Sequence, residues 1–245
     1  FSILVPLYNT PVNFLKEMID SVVTQTYKDW ELCLADGSDD AHAYVGDICR
    51  EYASSDSRVK YEKLAKNEGI SGNTNACFKM ATGEFIALFD HDDILHPSAL
   101  YKYREAADNG ADYIYCDEAT FTEGSINNMI TVHFKPDYAI DNLWANNYIC
   151  HFSVFKRTLL DGDELFRSQF DGSQDHDMIL RLTDKAKNIV HIPRLMYYWR
   201  CHEGSVASNI EAKPYAIEAA RGAVADHLRR HGYDHFKISS TRAFE

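Results

Sequence analysis

The chain has 245 residues, 45% apolar and 25% charged, so a sizeable core can be buried and wholesale disorder is excluded. A formal charge of -12 and a pI near 5.3, with no Lys/Arg-rich run, set the surface against nucleic acid and anionic lipid. No apolar stretch approaches the roughly 20 residues that a membrane-spanning helix needs.

The cysteines (Cys33, Cys49, Cys77, Cys116, Cys150 and Cys201) are scattered, and several sit in apolar runs. That usage predicts reduced thiols, a cytoplasmic setting and no structural zinc. The chain opens at Phe1 inside a strand-like run, the pattern expected of a domain excised from a longer polypeptide with further domains of its own.

Ser2 to Val5 reads as a short buried strand closed by the loop Pro6-Leu7-Tyr8-Asn9-Thr10. Thr10 is the expected N-cap and Pro11 the first residue of a helix whose apolar positions Phe14, Leu15, Met18, Ile19, Val22 and Val23 recur at helical spacing. A second strand runs from Trp30 to Ala35, with Asp36-Gly37-Ser38 at its end. A helix over Asp47 to Ala53 and a strand over Arg58 to Leu64 follow. Lys66 to Asn75, rich in Gly and Asn, reads as a loop entering a short helix that ends near Gly83.

Phe85-Ile86-Ala87-Leu88-Phe89 is an unbroken apolar run that stops at Asp90-His91-Asp92-Asp93, as a buried parallel strand ends at a polar sheet edge. Ligands in open α/β sheets bind beyond such strand ends, and clustered carboxylates there need a cation or a donor-rich ligand to offset their repulsion. Asp90, His91 and Asp92 are therefore expected to face a metal ion. The competing reading is that Asp92 or Asp93 caps the helix announced by Pro97.

That helix carries Leu100, Tyr103, Ala106 and Ala107 on one face, and a strand follows over Asp112 to Cys116. Strands alternating with helices predict βα units in a mostly parallel, nucleotide-binding type of sheet. The second half alternates less regularly. It reads as a strand over Ile149 to Phe155, a helix from about Asp175 to Ala186, strands near Ile189 and over Leu195 to Trp199, and a helix from about Pro214 to His231. One domain over 1–245 is expected, the second half (117–245) a layer appended to the first (1–116).

Taken together and in this order, Pro6-Leu7-Tyr8-Asn9, Asp36-Gly37-Ser38, the Asn67 to Asn75 segment, Gly83-Glu84-Phe85-Ile86 leading to Asp90-His91-Asp92-Asp93, and Gln174-Asp175 before a helix resemble family 2 of the glycosyltransferases. The resemblance covers nearly the whole chain, and it implies a nucleotide-sugar-binding half (1–116) and an acceptor-binding half (117–245). It implies a GT-A fold, Rossmann-like with helices on both faces, and an inverting, metal-dependent enzyme of the bacterial cell-surface polysaccharide type. Such an enzyme moves a sugar from a UDP- or dTDP-sugar to a glycan or lipid-linked glycan, in the cytoplasm or at the inner face of the membrane.

By the same resemblance Pro6 and Tyr8 lie against the nucleobase, and Asp36 accepts a hydrogen bond from a uracil or thymine imide, with Ser38 beside it. Asn67, Gly72 and Asn75 belong to a segment offering N–H groups to phosphate. Asp90 binds the ribose side or a metal-bound water, His91 belongs to the nucleotide-binding set, and Asp92 ligates Mn²⁺ or Mg²⁺. Trp199-Arg200-Cys201-His202-Glu203-Gly204-Ser205 is similar to the family's His-x-x-Ser segment, with His202 completing the metal sphere or contacting the diphosphate, and Trp199 and Arg200 near the acceptor or diphosphate. Asp175 is the catalytic base. Gln174 stands where relatives carry Glu, which puts its supporting role apart from the family pattern.

Plainer roles compete: Asp36 as a turn residue, Tyr8, Trp144, Trp199 and Tyr198 as core, and Asp175 as a helix cap. His133-Phe134-Lys135-Pro136 and Trp144-Ala145-Asn146-Asn147 fall where relatives carry acceptor-side segments. Two other classes stand against the transferase. A nucleotidyltransferase would typically need a basic, Gly-rich loop after the first strand, and Pro6-Leu7-Tyr8-Asn9 is not one. A non-catalytic glycan- or nucleotide-binding module would not need its carboxylates at 90, 92 and 175.

Overall fold

The computed structural model describes residues 1–122, 125–202 and 214–239. One sheet runs through both halves of the chain. Its strands are β1 (Ser2–Leu7), β2 (Glu31–Asp36), β3 (Val59–Lys63), β4 (Phe85–Leu88), β5 (Ile94–Leu95), β6 (Tyr113–Phe121), β7 (Met129–His133), β8 (Val154–Lys156) and β9 (Ile189–Arg200). They lie in the order β3-β2-β1-β4-β8-β6-β9-β5, with β7 on the far part of β6. Pairing is parallel among β1 to β4 and between β6 and β9; β8 joins β4 to β6 by antiparallel pairing on both sides, and β7 and β5 add antiparallel edges. The division expected after residue 116 falls inside β6.

Strand alternation sorts the core into two layers. Ile3, Val5, Leu7, Leu32 and Leu34 face helices α1 (Val12–Val23), α2 (Tyr44–Ser55) and α4 (Ala99–Asp108), through Leu15, Met18, Ile19, Val45, Ile48, Leu100 and Tyr103. Leu4, Cys33, Ala35 and Ile86 face α3 (Gly69–Met80), α6 (Gln174–Thr183) and α7 (Pro214–Arg230), through Ala76, Cys77, Met178, Ile179, Leu182 and Val224. A short helix, α5 (Ile140–Ala145), had no periodic signal to announce it. All six cysteines are free thiols. Among the described residues no helix is long and apolar enough to cross a membrane.

Four expectations about elements are corrected. Residues 69–75 form the first turns of α3 rather than a loop. Some of their polar side chains are bonded locally, Asn73 Oδ1 accepting the Glu68 N–H, its Nδ2 donating to Asn67 Oδ1 and Thr74 Oγ1 donating to the Ile70 carbonyl, and others by distant partners, Ser71 by Asp171 and Asn75 by Phe166. Those bonds offset the low helix propensity of Gly, Asn and Thr. The two strands expected near Ile189 and Leu195 are one continuous β9, which passes Pro193 by a bulge, since Ile192 pairs with Cys116 and Leu195 with Asp117. The strand expected from Ile149 begins only at Val154. The strand expected over Asp112 to Cys116 continues as β6 to Phe121, which carries Asp117 and Glu118 into the sheet.

Candidate active site

The carboxyl ends of β1 and β4, the β6–β7 region, the 146–151 segment and the start of α6 surround a cleft of about 1210 Å³. Its wall includes Pro6, Tyr8, Asp90, His91, Asp92, Gln174, Asp175, Trp199 and His202. These candidates span nearly two hundred residues of sequence, and the fold brings them to one opening.

At the β1 end, Asn9 adopts φ 50°, and its side chain ties this loop to the end of β2. Asn9 Oδ1 accepts the Asp39 N–H at 3.1 Å, its Nδ2 donates to Asp39 Oδ2 at 3.0 Å, and its own N–H donates to Ser38 Oγ at 2.8 Å. Tyr8 is thereby held 48% exposed on the cleft wall rather than in the core. Thr10 Oγ1 and His91 Nδ1 share a 2.7 Å hydrogen bond that joins this loop to the end of β4.

Asp36 is 1% exposed and lies behind this wall. Its Oδ1 accepts the Ser38 N–H at 2.8 Å, and its Oδ2 accepts the Tyr61 hydroxyl at 2.9 Å with Lys63 Nζ 3.4 Å away. The turn contact weighed for Asp36 is thus present. Gly37 is required here, because a Cβ would come within 2.8 Å of Asn73 Nδ2 and 3.0 Å of the Asn67 Cα.

The acidic run beyond β4 divides its tasks. Asp92 Oδ2 stands 2.9 Å from His202 Nε2. Asp93 is fully buried, accepting the Tyr197 hydroxyl at 2.5 Å and the Arg200 N–H at 2.7 Å. Burial, with Asp92 and Asp90 adding repulsion, holds the Asp93 carboxyl well above the usual range. Neither Asp92 nor Asp93 caps α4, which starts after Ser98.

Asp90 faces the cleft and lies 3.4 Å from His151 Nε2, while His151 Nδ1 lies 3.2 Å from Glu118 Oε2. Burial alone would lower the His151 imidazole, but Cys150, Glu118 and the Asp90 contact reverse that and raise it well above the usual histidine range. Asp90 in turn is lowered: burial pushes its carboxyl up, and the hydrogen bond and charge of His151 outweigh it. His151 stacks on Tyr197 with centroids 4.7 Å apart. Below, the buried Lys135 ammonium donates to Glu118 Oε2 at 2.7 Å, to the Ile149 carbonyl at 2.7 Å and to the His151 carbonyl at 2.5 Å.

Asp175 is the second residue of α6, and its carboxylate caps nothing. Instead Oδ2 accepts Asn147 Nδ2 at 2.7 Å, with Cys150 Sγ at 3.7 Å. The helix beneath it is pinned by Asp177, fully buried between Arg167 and Arg181, and by His176 Nε2 on the Leu143 carbonyl at 2.7 Å. Gln174 Oε1 accepts the Gly172 N–H at 2.9 Å.

Four candidates, Asn67, Gly72, Asn75 and Arg200, do not line the cleft. Arg200 is 1% exposed, sandwiched between Phe14 and Phe121, with Nε on the Asp92 carbonyl and Nη2 on Glu17. It supports the acidic turn from behind instead of facing the cleft. Asn75 spends both ends of its amide on the Phe166 backbone. Gly72 is within α3, and a Cβ there would meet Glu68 Cβ at 2.4 Å. Asn67 Oδ1 is committed to Gly69 and Asn73. Trp144 and Tyr198 pack into the core, whereas Trp199 reaches the cleft wall. Glu203, Gly204 and Ser205 lie outside the described residues.

Sequence reasoning passed over Glu118, Cys150 and His151. Glu118 comes just past the apolar run that was expected to end at Cys116, as Asp90 comes just past Phe89, and that recurrence was the available signal; His151 had none.

Carboxylate and imidazole at 2.9 Å match the edge of an octahedron with bonds of 2.0–2.1 Å, about 3 Å, so Asp92 and His202 suit one hard or borderline divalent ion. Asp90, Asp93 and His151 also bring one donor atom each within 4.8 Å of one another.

The family model for "Glycosyl transferase family 2" matches residues 2–162. Over 233 residues the chain is 42% identical to the uncharacterized protein y4gI of Sinorhizobium fredii and 31% identical to the O-antigen biosynthesis protein RfbC of Myxococcus xanthus. Each alignment covers 94% of this chain but only 25% and 18% of those proteins, so the chain spans a quarter or less of their length. The crystal structure of S. aureus TarS 1-349 in complex with UDP-GlcNAc superposes with a TM-score of 0.69 at 19% identity, covering 94% of this chain and 72% of that one, which shows a shared fold.

Proposed function

This chain belongs to glycosyl transferase family 2, and from that premise we propose that it transfers a sugar from a nucleoside diphosphate donor to a hydroxyl of a glycan, inverting the anomeric centre. The observation that carries this reading is the single cleft with the Asp92–His202 pair on one wall and the uncapped Asp175 carboxylate on another.

Asp92 and His202, with Asp90 on the same wall, would hold Mn²⁺ or Mg²⁺, which when bound would neutralise charge gathering on the leaving diphosphate. Asp175 takes the proton of the acceptor hydroxyl as its oxygen attacks. Asn147 fixes Oδ2 of that carboxylate, which leaves Oδ1 to face the acceptor. Tyr8 and Pro6 offer a face for the base. Asp36 Oδ1 carries a single hydrogen bond and keeps a second acceptor position, the one a uracil or thymine imide would take. Trp199 and the 79% exposed Phe134 are aromatic surfaces for sugar rings.

The UDP-GlcNAc complex of the structural neighbour and the O-antigen role in a relative's name support a UDP- or dTDP-sugar donor and a cell-surface polysaccharide product. A cytoplasmic setting, at the inner face of a membrane where the acceptor is lipid-linked, belongs to the same proposal.

Incubation with Mn²⁺ and a panel of UDP-, dTDP- and GDP-sugars tests it. The expected result is nucleoside diphosphate release from a uracil or thymine donor and, with acceptor, a product of opposite anomeric configuration by NMR. Silence across the panel, or retention of configuration, contradicts it.

A further inference from the structure

The ends of α6 and α7 carry another set of ligand-type side chains, none of which lines the cleft. Asp184 follows the last residue of α6. His227 lies in the last turn of α7, and His231 stands one turn on, its N–H still bonded to the His227 carbonyl at 3.2 Å. That spacing sets both imidazoles on one face, with ring centroids 4.4 Å apart. One donor atom from each of the three residues lies within 4.8 Å of the others. His231 Nε2 is 3.0 Å and His227 Nδ1 3.3 Å from Asp184 Oδ2. Two ligands bonded at 2.0–2.1 Å to a tetrahedral ion stand about 3.3 Å apart, so the donors are already near the required spacing.

His227 gives an independent indication. It is 1% exposed, yet neither ring nitrogen makes a hydrogen bond. Buried polar groups nearly always find partners. Its Nδ1 points toward the Asp184 carboxylate at 3.3 Å, and in the tautomer protonated on Nε2 that nitrogen offers a lone pair to a metal. His231 and the backbone around Asp184 remain exposed, so an ion has a path in. Both helices end here, and their carbonyl termini favour a cation.

We propose that Asp184, His227 and His231 bind a borderline divalent transition metal, Zn²⁺ above all, with water as the fourth ligand, clipping α7 onto α6. Two imidazoles with one carboxylate select against Mg²⁺ and Mn²⁺, unlike the acid-rich cleft. The expectation of no structural zinc came from cysteine spacing, and this donor set contains no cysteine. Arg230 is the competitor, its Nη1 lying 3.1 Å from the same Asp184 Oδ2.

Titration of the Asp92→Asn protein with Zn²⁺ by calorimetry tests the site without the cleft's own ligand. Zn²⁺ binding with a rise in the thermal midpoint is expected, beyond any ion that Asp90, Asp93 and His151 hold in the cleft. The exposed His231→Ala change should weaken binding by roughly tenfold or more, since loss of an outer-shell partner alone typically does that. Arg230→Gln should tighten it. Absence of Zn²⁺ binding in the Asp92→Asn protein, or affinity unchanged by His231→Ala, overturns the proposal.

Discussion

Replacing Asp175 by Asn is expected to lower turnover by about 10²–10⁴-fold, the range general-base catalysis supplies, while nucleotide affinity stays at the wild-type level. The substitution is conservative in shape. The new amide oxygen can still accept the Asn147 hydrogen bond, and α6 remains anchored through Asp177 and His176, so the loss isolates proton acceptance from positioning. Steady-state kinetics with calorimetric titration of UDP separates the two quantities. Turnover within a few-fold of wild type would remove Asp175 from the chemistry; lost nucleotide binding would make its role structural.

The largest expected effect on stability comes from Lys135. Its ammonium is buried against Glu118 and two backbone carbonyls, and removing one partner of a buried pair leaves an uncompensated charge. Lys135→Met should therefore destabilise the protein by about 3–5 kcal/mol. In a chain of this size that is a fall of roughly 10 °C in the thermal midpoint. Pairing it with Glu118→Leu should recover much of the loss, because neither charge then remains buried alone.

The same pair sets an acid limb. Burial pushes the Glu118 carboxyl up, but Lys135 and His151 more than offset this and bring it from 4.5 to about 2. A carboxylate whose folded value is depressed stabilises the fold above its unfolded value, and that contribution is lost as pH falls from about 4.5 through about 2. Unfolding followed by urea titration across that window should show a shallower slope in Lys135→Met than in the wild type. Parallel slopes would mean that Lys135 does not hold Glu118 charged.

What could be read from the residues was the chemistry that local order encodes. Apolar strands stop at Asp36 and at Asp90-His91-Asp92, α1 shows its stripe from Leu15 to Val22, and Asp175 sits where a helix begins. Each signal lies within a few residues of its neighbours. The missed features are non-local. The His151 environment is made by Glu118, Asp90 and Tyr197, which belong to β6, the end of β4 and β9. Arg200 shares a segment with His202, yet alternation along β9 and the rings of Phe14 and Phe121 turn it inward. The Gly/Asn-rich stretch became helix because tertiary partners such as Phe166, bonded to Asn75, consume its polar groups. Asp184 meets His227 and His231 only because α6 and α7 end side by side.

On the proposed reading Asp92 and His202 present a metal-dependent grip for a nucleoside diphosphate. Calorimetric titration of UDP into the wild-type and Asp92→Asn proteins, each with Mn²⁺ and with chelator, tests it most directly. The account predicts binding to the wild type that chelator abolishes and that Asp92→Asn lacks; UDP binding that is indifferent to both would contradict it.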